Sequence, residues 1–426
     1  MKNWKQYPAL ALAGLVALHI IAHIDRNMLM GFSPQIIKDL RLSNTQYGFL
    51  SGVVWVLSFG VMALFLGSLA DRFSRTRVIA FGLLVWSICT AASGFAQSFE
   101  QMALARFFVA TGEAALVPSA ISLLAEIFTP ARRGTAMGVF FMGLPIGIGL
   151  SFIIAGWLGD SLGWRGAFEV LGAVGVVLVL PVLLLPDKRQ DSGQTEERGA
   201  PFVQQMRDLF QVMRRTPLLW QTIVGFILVH FAIVGLAFLQ LWLVQERGFN
   251  AAEIARRVGM LTLAFGTLGA FVGGVLGDRL ARRFKGGHAT VLSLLVALCV
   301  PLTIAALFAP PKSFVFYLGL CAGLFLTLAT YGPSLALIQA FAPANMRATA
   351  SGATMMGINV FAIAIGNLGA GMLSDHLRAG GASAPLTTVL LCLNILVGCA
   401  LLFYWKVSRS GDPRLHAERD KSVVAH

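Results

Sequence analysis

Apolar runs long enough to cross a bilayer recur along this chain of 426 residues, at about 8–33, 47–69, 78–97, 101–128, 135–159, 167–186, 218–245, 255–277, 288–309, 312–340, 348–375 and 384–407. A hydrocarbon layer about 30 Å thick takes about 20 residues of helix. In lipid each backbone N–H and C=O must find its partner within the segment, which makes each run an α-helix. Hydrophobic residues make up 57% of the chain and charged residues 12%, a balance that a water-soluble core cannot absorb. The expected fold class is therefore an all-α membrane protein with twelve transmembrane helices. The 45 glycines, spread through the apolar runs, suit close helix contacts in lipid.

Charge sets the expected orientation. The formal net charge is +13, which in a soluble chain would suggest nucleic acid. Here the basic residues fall in short loops between apolar runs. With both tails inside, cytoplasmic segments carry about 23 Lys and Arg against about 8 outside, the positive-inside pattern. We expect a multi-pass protein of the cell (inner) membrane with both termini cytoplasmic and no nucleic-acid partner. The start, with Lys2 and Lys5 before an apolar stretch from Pro8, has the look of a signal peptide, but its run is long and shows no persuasive cleavage site. It reads as an uncleaved first span.

The organisation predicted is a six-helix bundle over 1–186, a polar cytoplasmic linker over 187–217 with a short surface helix from Phe202 to Met213, a second six-helix bundle over 218–407 and a tail over 408–426. The halves repeat each other. Gly67-Ser-Leu-Ala-Asp71-Arg72-Phe-Ser-Arg75 follows span two, and Gly274-Val-Leu-Gly-Asp278-Arg279-Leu-Ala-Arg282 follows span eight in the same register. A weaker echo joins Arg133-Gly-Thr-Ala-Met-Gly138 to Arg347-Ala-Thr-Ala-Ser-Gly352. Two parallel repeats of six helices describe a transporter with its site between the halves.

These residues also carry a family resemblance. The stretch from Gly67 to Arg77 resembles the signature loop of the major facilitator superfamily, Arg106 and Gly112 its fourth-helix motif, Glu126 and Arg133 its Glu-x6-Arg spacing, and Gly143-Leu-Pro145-Ile-Gly147 its fifth-helix motif. Asp25-Arg26, Gly112-Glu113-Ala114 and the run from Leu123 through Gly156 look most like the Spinster lipid-transporter branch. The resemblance implies two pseudo-symmetric six-helix bundles and a first-helix acid–base pair involved in proton coupling and substrate handling. One departure stands out: the second-half position equivalent to Glu126 is Ala340.

Charges inside apolar spans cost at least a few kcal/mol and need a reason. Asp25 and Arg26 are such charges in span one. Adjacent helical residues point about 100° apart, so each is expected to find its partner on another helix. Glu113 is the expected partner: it lies about 18 Å inward from Gln101, near the midplane. A carboxylate there is desolvated unless a cation such as Arg26 compensates it, and substrate or a proton could switch that balance. Arg106, one heptad earlier, is expected to hold Asp25 or attract an anionic headgroup. His19 and His23 form a stripe with Arg26 that could modulate protonation or serve as a hydrogen-bonded cavity lining, and the bland reading is favoured. Two histidines four apart with no third ligand do not make a metal site. His230, Tyr331, Asn359 and Asn367 are second-half candidates, with cavity and packing roles evenly weighed.

Asp71, Arg72 and Arg75, with Glu126, Arg133, Asp278, Arg279 and Arg282, are expected to form a cytoplasmic gate. Arginines alone would serve topology, but acids contribute little to it, so the aspartates argue for gating. Gly138, Gly143, Gly147 and Gly149 with Pro145, and Gly366 with Gly369, suit packing and bending. The five cysteines all lie in apolar stretches, with neither disulfide nor metal-ligand spacing. No Walker loop and no nucleophile–base constellation is visible, so neither a cofactor nor an enzyme is expected, and energy should come from a gradient. The function expected is secondary transport of a lysophospholipid or similar amphiphilic anion, coupled to protons, by a monomer working through alternating access. The alternative is proton-coupled transport of a small organic anion or a hydrophobic drug. A transporter-shaped sensor is disfavoured by the short tail after Lys406.

Overall fold

In a computed structural model, residues 8–62, 74–184, 202–343 and 346–410 are described. Among the described residues, twelve helices are long and apolar enough to span a membrane: α1 (Pro8–Gly31), α2 (Asn44–Met62), α3 (Arg75–Gly94), α4 (Phe99–Ile127), α5 (Arg132–Ser161), α6 (Gly163–Leu183), α7 (Pro217–Gln245), α8 (Ala251–Ala281), α9 (Gly287–Phe308), α10 (Phe314–Phe341), α11 (Thr349–Ala379) and α12 (Pro385–Arg409). Among the described residues there is no strand. The expected surface helix in the linker runs from Phe202 to Arg215; the rest of the expected linker up to residue 201, and the tail from 411, lie outside the described residues.

Large apolar side chains such as Phe81, Trp157, Leu180, Leu298 and Phe314 are exposed on the spans. In water such surface would drive aggregation; on helices of this length it is the surface that lipid covers.

The chain divides into two compact units. The first takes in Met1–Ser192, Leu239–Leu263 and Asn367–Gly380; the second takes in Gly193–Phe238, Ala264–Gly366 and Gly381–His426. The first is built around Leu15, Leu83, Trp86, Val109, Leu124 and Phe140. The second holds one cluster around Leu292, Val296, Leu326 and Tyr404 and another around Leu209, Leu219, Phe226 and Ile338, so the linker helix contributes Leu209 to its core.

Prolines explain where three of the spans break. A proline removes one N–H and crowds the carbonyl four residues earlier. Pro118 does this to Ala114, and α4 is interrupted at Ala114 and Ala115, immediately after Glu113. Pro145 in α5 acts on Phe141, and the interruption falls at Met142. Pro333 in α10 acts on Ala329, with the break at Thr330.

Candidate substrate and coupling site

The charged residues of the first unit come together around Glu113. Its position, one residue before the proline-induced break, places the carboxyl at the end of the first segment of α4. Close approach of α3 to α4 fixes that segment. A Cβ on Gly82 would lie 2.6 Å from the Gly112 carbonyl oxygen, and a Cβ on Gly112 would collide with the Gly82 carbonyl in turn. Only glycine at both positions lets the two backbones meet beside Glu113.

Arg26, from α1, donates to Glu113 Oε2 through Nε at 3.1 Å and Nη2 at 2.8 Å. The same oxygen accepts the indole N–H of Trp55 at 3.3 Å, and the Arg26 guanidinium stacks over that indole, 3.9 Å from its centroid. Phe59 lies one turn on, its ring stacked on Trp55 at 4.5 Å. The Glu113 side chain is 1% exposed and that of Arg26 26%. The pair is therefore asymmetric: its anion is sealed, while its cation keeps one side open. Glu113 Oε1 is buried with no hydrogen-bond partner among the described residues.

Asp25 points elsewhere. Thr90 of α3 donates to its Oδ2 at 3.5 Å, and its burial is complete. Arg106 reaches α1 through the backbone, donating to the carbonyls of Asp25 at 3.3 Å and Arg26 at 3.2 Å. Arg106 clamps the main chain of the acid–base pair, and so fixes where both side chains start.

His19 and His23 are buried and face each other, Nε2 to Nε2, at 3.2 Å. His19 Nδ1 lies 2.9 Å from the Phe140 carbonyl, which only an N–H satisfies. That leaves His19 Nε2 as acceptor and requires the proton on His23 Nε2. His19 also stacks flat on Phe140 at 4.3 Å, and Gly143 and Gly147 of α5 leave room for the two imidazoles. The stripe expected with Arg26 thus divides: the histidines are paired to each other and to α5, and Arg26 to Glu113.

The second-half candidates do not form one cluster. His230 sits at the interruption of α7, with Nδ1 2.7 Å from the Phe226 carbonyl four residues earlier. Its ring packs edge-on against Phe226 and Tyr331, and Tyr331 donates to the Met355 sulfur at 3.4 Å. Asn359 is half-buried in a π-helical stretch, Ile358–Ile365. Asn367 belongs to the first unit, where its Oδ1 accepts from Ser51 at 3.2 Å.

Of the expected gate residues, Asp71 and Arg72 lie outside the described residues. Arg75 pairs with Glu126 at 2.5 Å, while Arg133 donates to the Phe128 carbonyl, so the Glu-x6-Arg spacing does not itself make an ion pair. Asp278 pairs with His288 at 2.9 Å and its carbonyl accepts from Arg282; Arg279 is exposed.

Trp55 is the residue that reasoning from sequence missed. Its one signal is a stripe of Trp55, Ser58 and Phe59 at helical spacing, with Ser58 reaching the Phe107 carbonyl at 2.6 Å and Thr111 at 2.8 Å. Nothing in one dimension ties that stripe to Arg26.

Comparison with known proteins bears on what this arrangement does. The family model described as Major Facilitator Superfamily matches residues 15–367. An MFS-type efflux pump of Mycolicibacterium smegmatis is 32% identical over 410 residues, covering 96% of this chain and 93% of that one. The protein spinster of Drosophila melanogaster is 26% identical over 301 residues, covering 68% and 49%. The crystal structure of a bacterial homologue of the human lysosomal transporter Spinster, in an inward-facing and unoccupied conformation, superposes with a TM-score of 0.81 at 23% identity, covering 96% and 98%.

Proposed function

The chain belongs to the major facilitator superfamily, as a multi-pass membrane transporter of its Spinster branch and not an enzyme, and we propose that it carries a lysophospholipid or similar amphiphilic anion coupled to protons, by alternating access. The observation that carries this reading is the half-open ion pair between Arg26 and sealed Glu113. An anionic headgroup approaching the open side of Arg26 competes with Glu113 for the guanidinium. Once Arg26 turns to the substrate, Glu113 is left as an uncompensated carboxylate in a low-dielectric site, which is strongly unfavourable. A proton on Glu113 relieves that, and its unpartnered Oε1 is a place to receive it. Anion and proton therefore favour each other's binding, which makes the coupling a symport. The rings of Trp55 and Phe59 supply an apolar wall beside the cation, suited to the first part of an acyl chain.

Asp25 serves a positioning role in this scheme, being fully buried and turned toward Thr90. The carrier works as a monomer in the bacterial inner membrane with both termini cytoplasmic, in keeping with the basic short loops.

Flux of labelled lysophospholipid in proteoliposomes, with and without an imposed proton gradient, tests the reading. Acceleration by the gradient, lost in Glu113→Gln, supports it; flux indifferent to the gradient rejects the proton role. The M. smegmatis relative, described as an efflux pump and matched over nearly the whole chain, favours a second reading, export of a hydrophobic drug. Dye extrusion without lysolipid flux would select it.

A further inference from the structure

The interruption of α7 at His230 has no proline behind it: Ile233 and Val234 occupy the positions from which one would act. The cause is the imidazole. Its Nδ1 lies 2.7 Å from the Phe226 carbonyl, the acceptor that the backbone N–H of His230 also reaches, at 3.3 Å. A side chain inserted into the i to i−4 ladder breaks the run of helix, and α7 resumes at Phe231.

The same bond fixes the tautomer. Only an N–H satisfies a carbonyl, so Nδ1 carries the proton and Nε2 of the neutral ring presents a lone pair. Nε2 has no hydrogen-bond partner among the described residues, in a side chain that is 3% exposed. Buried acceptors are rarely left unmet, because the loss of water is then uncompensated. The surroundings narrow what would meet this one. The ring packs edge-on against Phe226 at 4.5 Å and Tyr331 at 5.5 Å, and those two lie edge-on to each other at 5.4 Å, closing a triangle. The one further polar side-chain atom the triangle brings, the Tyr331 hydroxyl, is given to the Met355 sulfur. A buried water is held by about three hydrogen bonds, and the triangle offers fewer. Gly357 brings α11 against α7 nearby, where a Cβ would lie 2.9 Å from Ile227 Cδ1. Tyr331 and Met355 are only half-buried, so Nε2 lies about one side chain in from an open surface.

An anion has no proton to give to a lone pair, and neither has a quaternary ammonium. A neutral hydroxyl on an apolar body fits: the alcohol donates to Nε2 while its carbon frame lies against the rings. We infer that His230, with Phe226, Tyr331 and Met355, forms a hydroxyl-recognising subsite within the second unit, and that Nε2 sets a preference for ligands carrying a neutral O–H. In an amphiphilic anion the group recognised is the alcohol beside the headgroup. That choice of lipid rests on the transport reading above; the hydroxyl chemistry does not.

Equilibrium binding to the purified full-length protein tests the preference, with a lysophosphatidic acid and its deoxy analogue, which lacks the free glycerol hydroxyl. Wild type should bind the hydroxylated lipid about tenfold more tightly, and His230→Asn should bring the ratio close to one. Asparagine keeps the bond to the Phe226 carbonyl, as Asn27 and Asn394 do to carbonyls four residues earlier, and lacks only an atom at the Nε2 position. His230→Phe keeps the ring packing instead and should act alike, while His230→Gln, whose amide oxygen reaches further, should retain part of the preference. A histidine that served structure alone would weaken both lipids together and leave the ratio unchanged. Dodecanol, with no phosphate for Arg26, separates this inference from the lysolipid reading. In liposomes holding protein with isotope-labelled histidine, the Nε2 resonance of His230, identified by its absence from His230→Asn, should shift with dodecanol and not with dodecyl methyl ether. That shift without a preference between the lysolipids would keep the subsite and remove the lysolipid as its ligand. An Nε2 resonance indifferent to the alcohol would overturn the subsite, whatever the lysolipids do.

Discussion

Replacing Glu113 by Gln probes the coupling proposal where it is most exposed. In the wild-type protein an anion must take Arg26 from a carboxylate that holds it by two charge-assisted hydrogen bonds, 2.8 and 3.1 Å long. Breaking a buried ion pair costs about 3–5 kcal/mol. Arg26 is 26% exposed and the anion replaces much of what is lost, so a net penalty of about 2 kcal/mol is reasonable at a pH where Glu113 is ionised. The amide keeps an acceptor for Arg26 but removes the charge. Anion binding in Glu113→Gln should therefore be tighter than wild type by roughly 30-fold. Equilibrium binding of a radiolabelled lysophosphatidylglycerol to both purified proteins reads the ratio. Equal or weaker binding in the variant would refute the competition between Glu113 and the anion.

Other substitutions separate site from scaffold. Arg106→Lys loses the fork that reaches two successive carbonyls of α1; it should cost about 1–2 kcal/mol of stability, seen as a lower thermal midpoint together with reduced flux. Gly112→Ala drives a methyl into the backbone of α3 and should cost at least about 2 kcal/mol, visible as loss of monodisperse protein on size exclusion. Gly138→Ala, with nothing within 4 Å of the added Cβ, should be neutral or stabilising by about 0.5–1 kcal/mol on the same column and in a melt. His23→Gln keeps an N–H for His19 and should leave the pH profile of flux unchanged; a shifted profile would bring the histidine pair into the proton path.

How much of this could be read in the sequence follows from the range of each interaction. Spans are local: length and apolarity specify them, and even the breaks in α4, α5 and α10 follow from Pro118, Pro145 and Pro333 acting four residues back. Arg26 and Glu113 were legible for a different reason. A charge inside lipid must be compensated, and few candidates exist to do it. Once each such charge is paired off, the assignment is nearly forced. Trp55 carries no charge and raises no such demand, so its place under Arg26 needed the fold. Arg106 was legible as a partner of α1 but not as a clamp on its carbonyls, since any helix offers carbonyls and no residue type marks the ones that are used.

The two acids of the site show why position within a helix matters more than residue type. Asp25 and Glu113 are both carboxylates buried in adjacent spans, and sequence alone treats them alike. Asp25 lies in an unbroken stretch of α1 with Arg106 tied to its carbonyl, so the backbone from which its side chain starts is held in place. Glu113 stands at the end of a segment, before two residues that Pro118 keeps from continuing the helix. A carboxyl there can shift with the break while Gly82 and Gly112 hold the backbone behind it. The group suited to exchange a partner is the one at a hinge, and in this chain that group is Glu113.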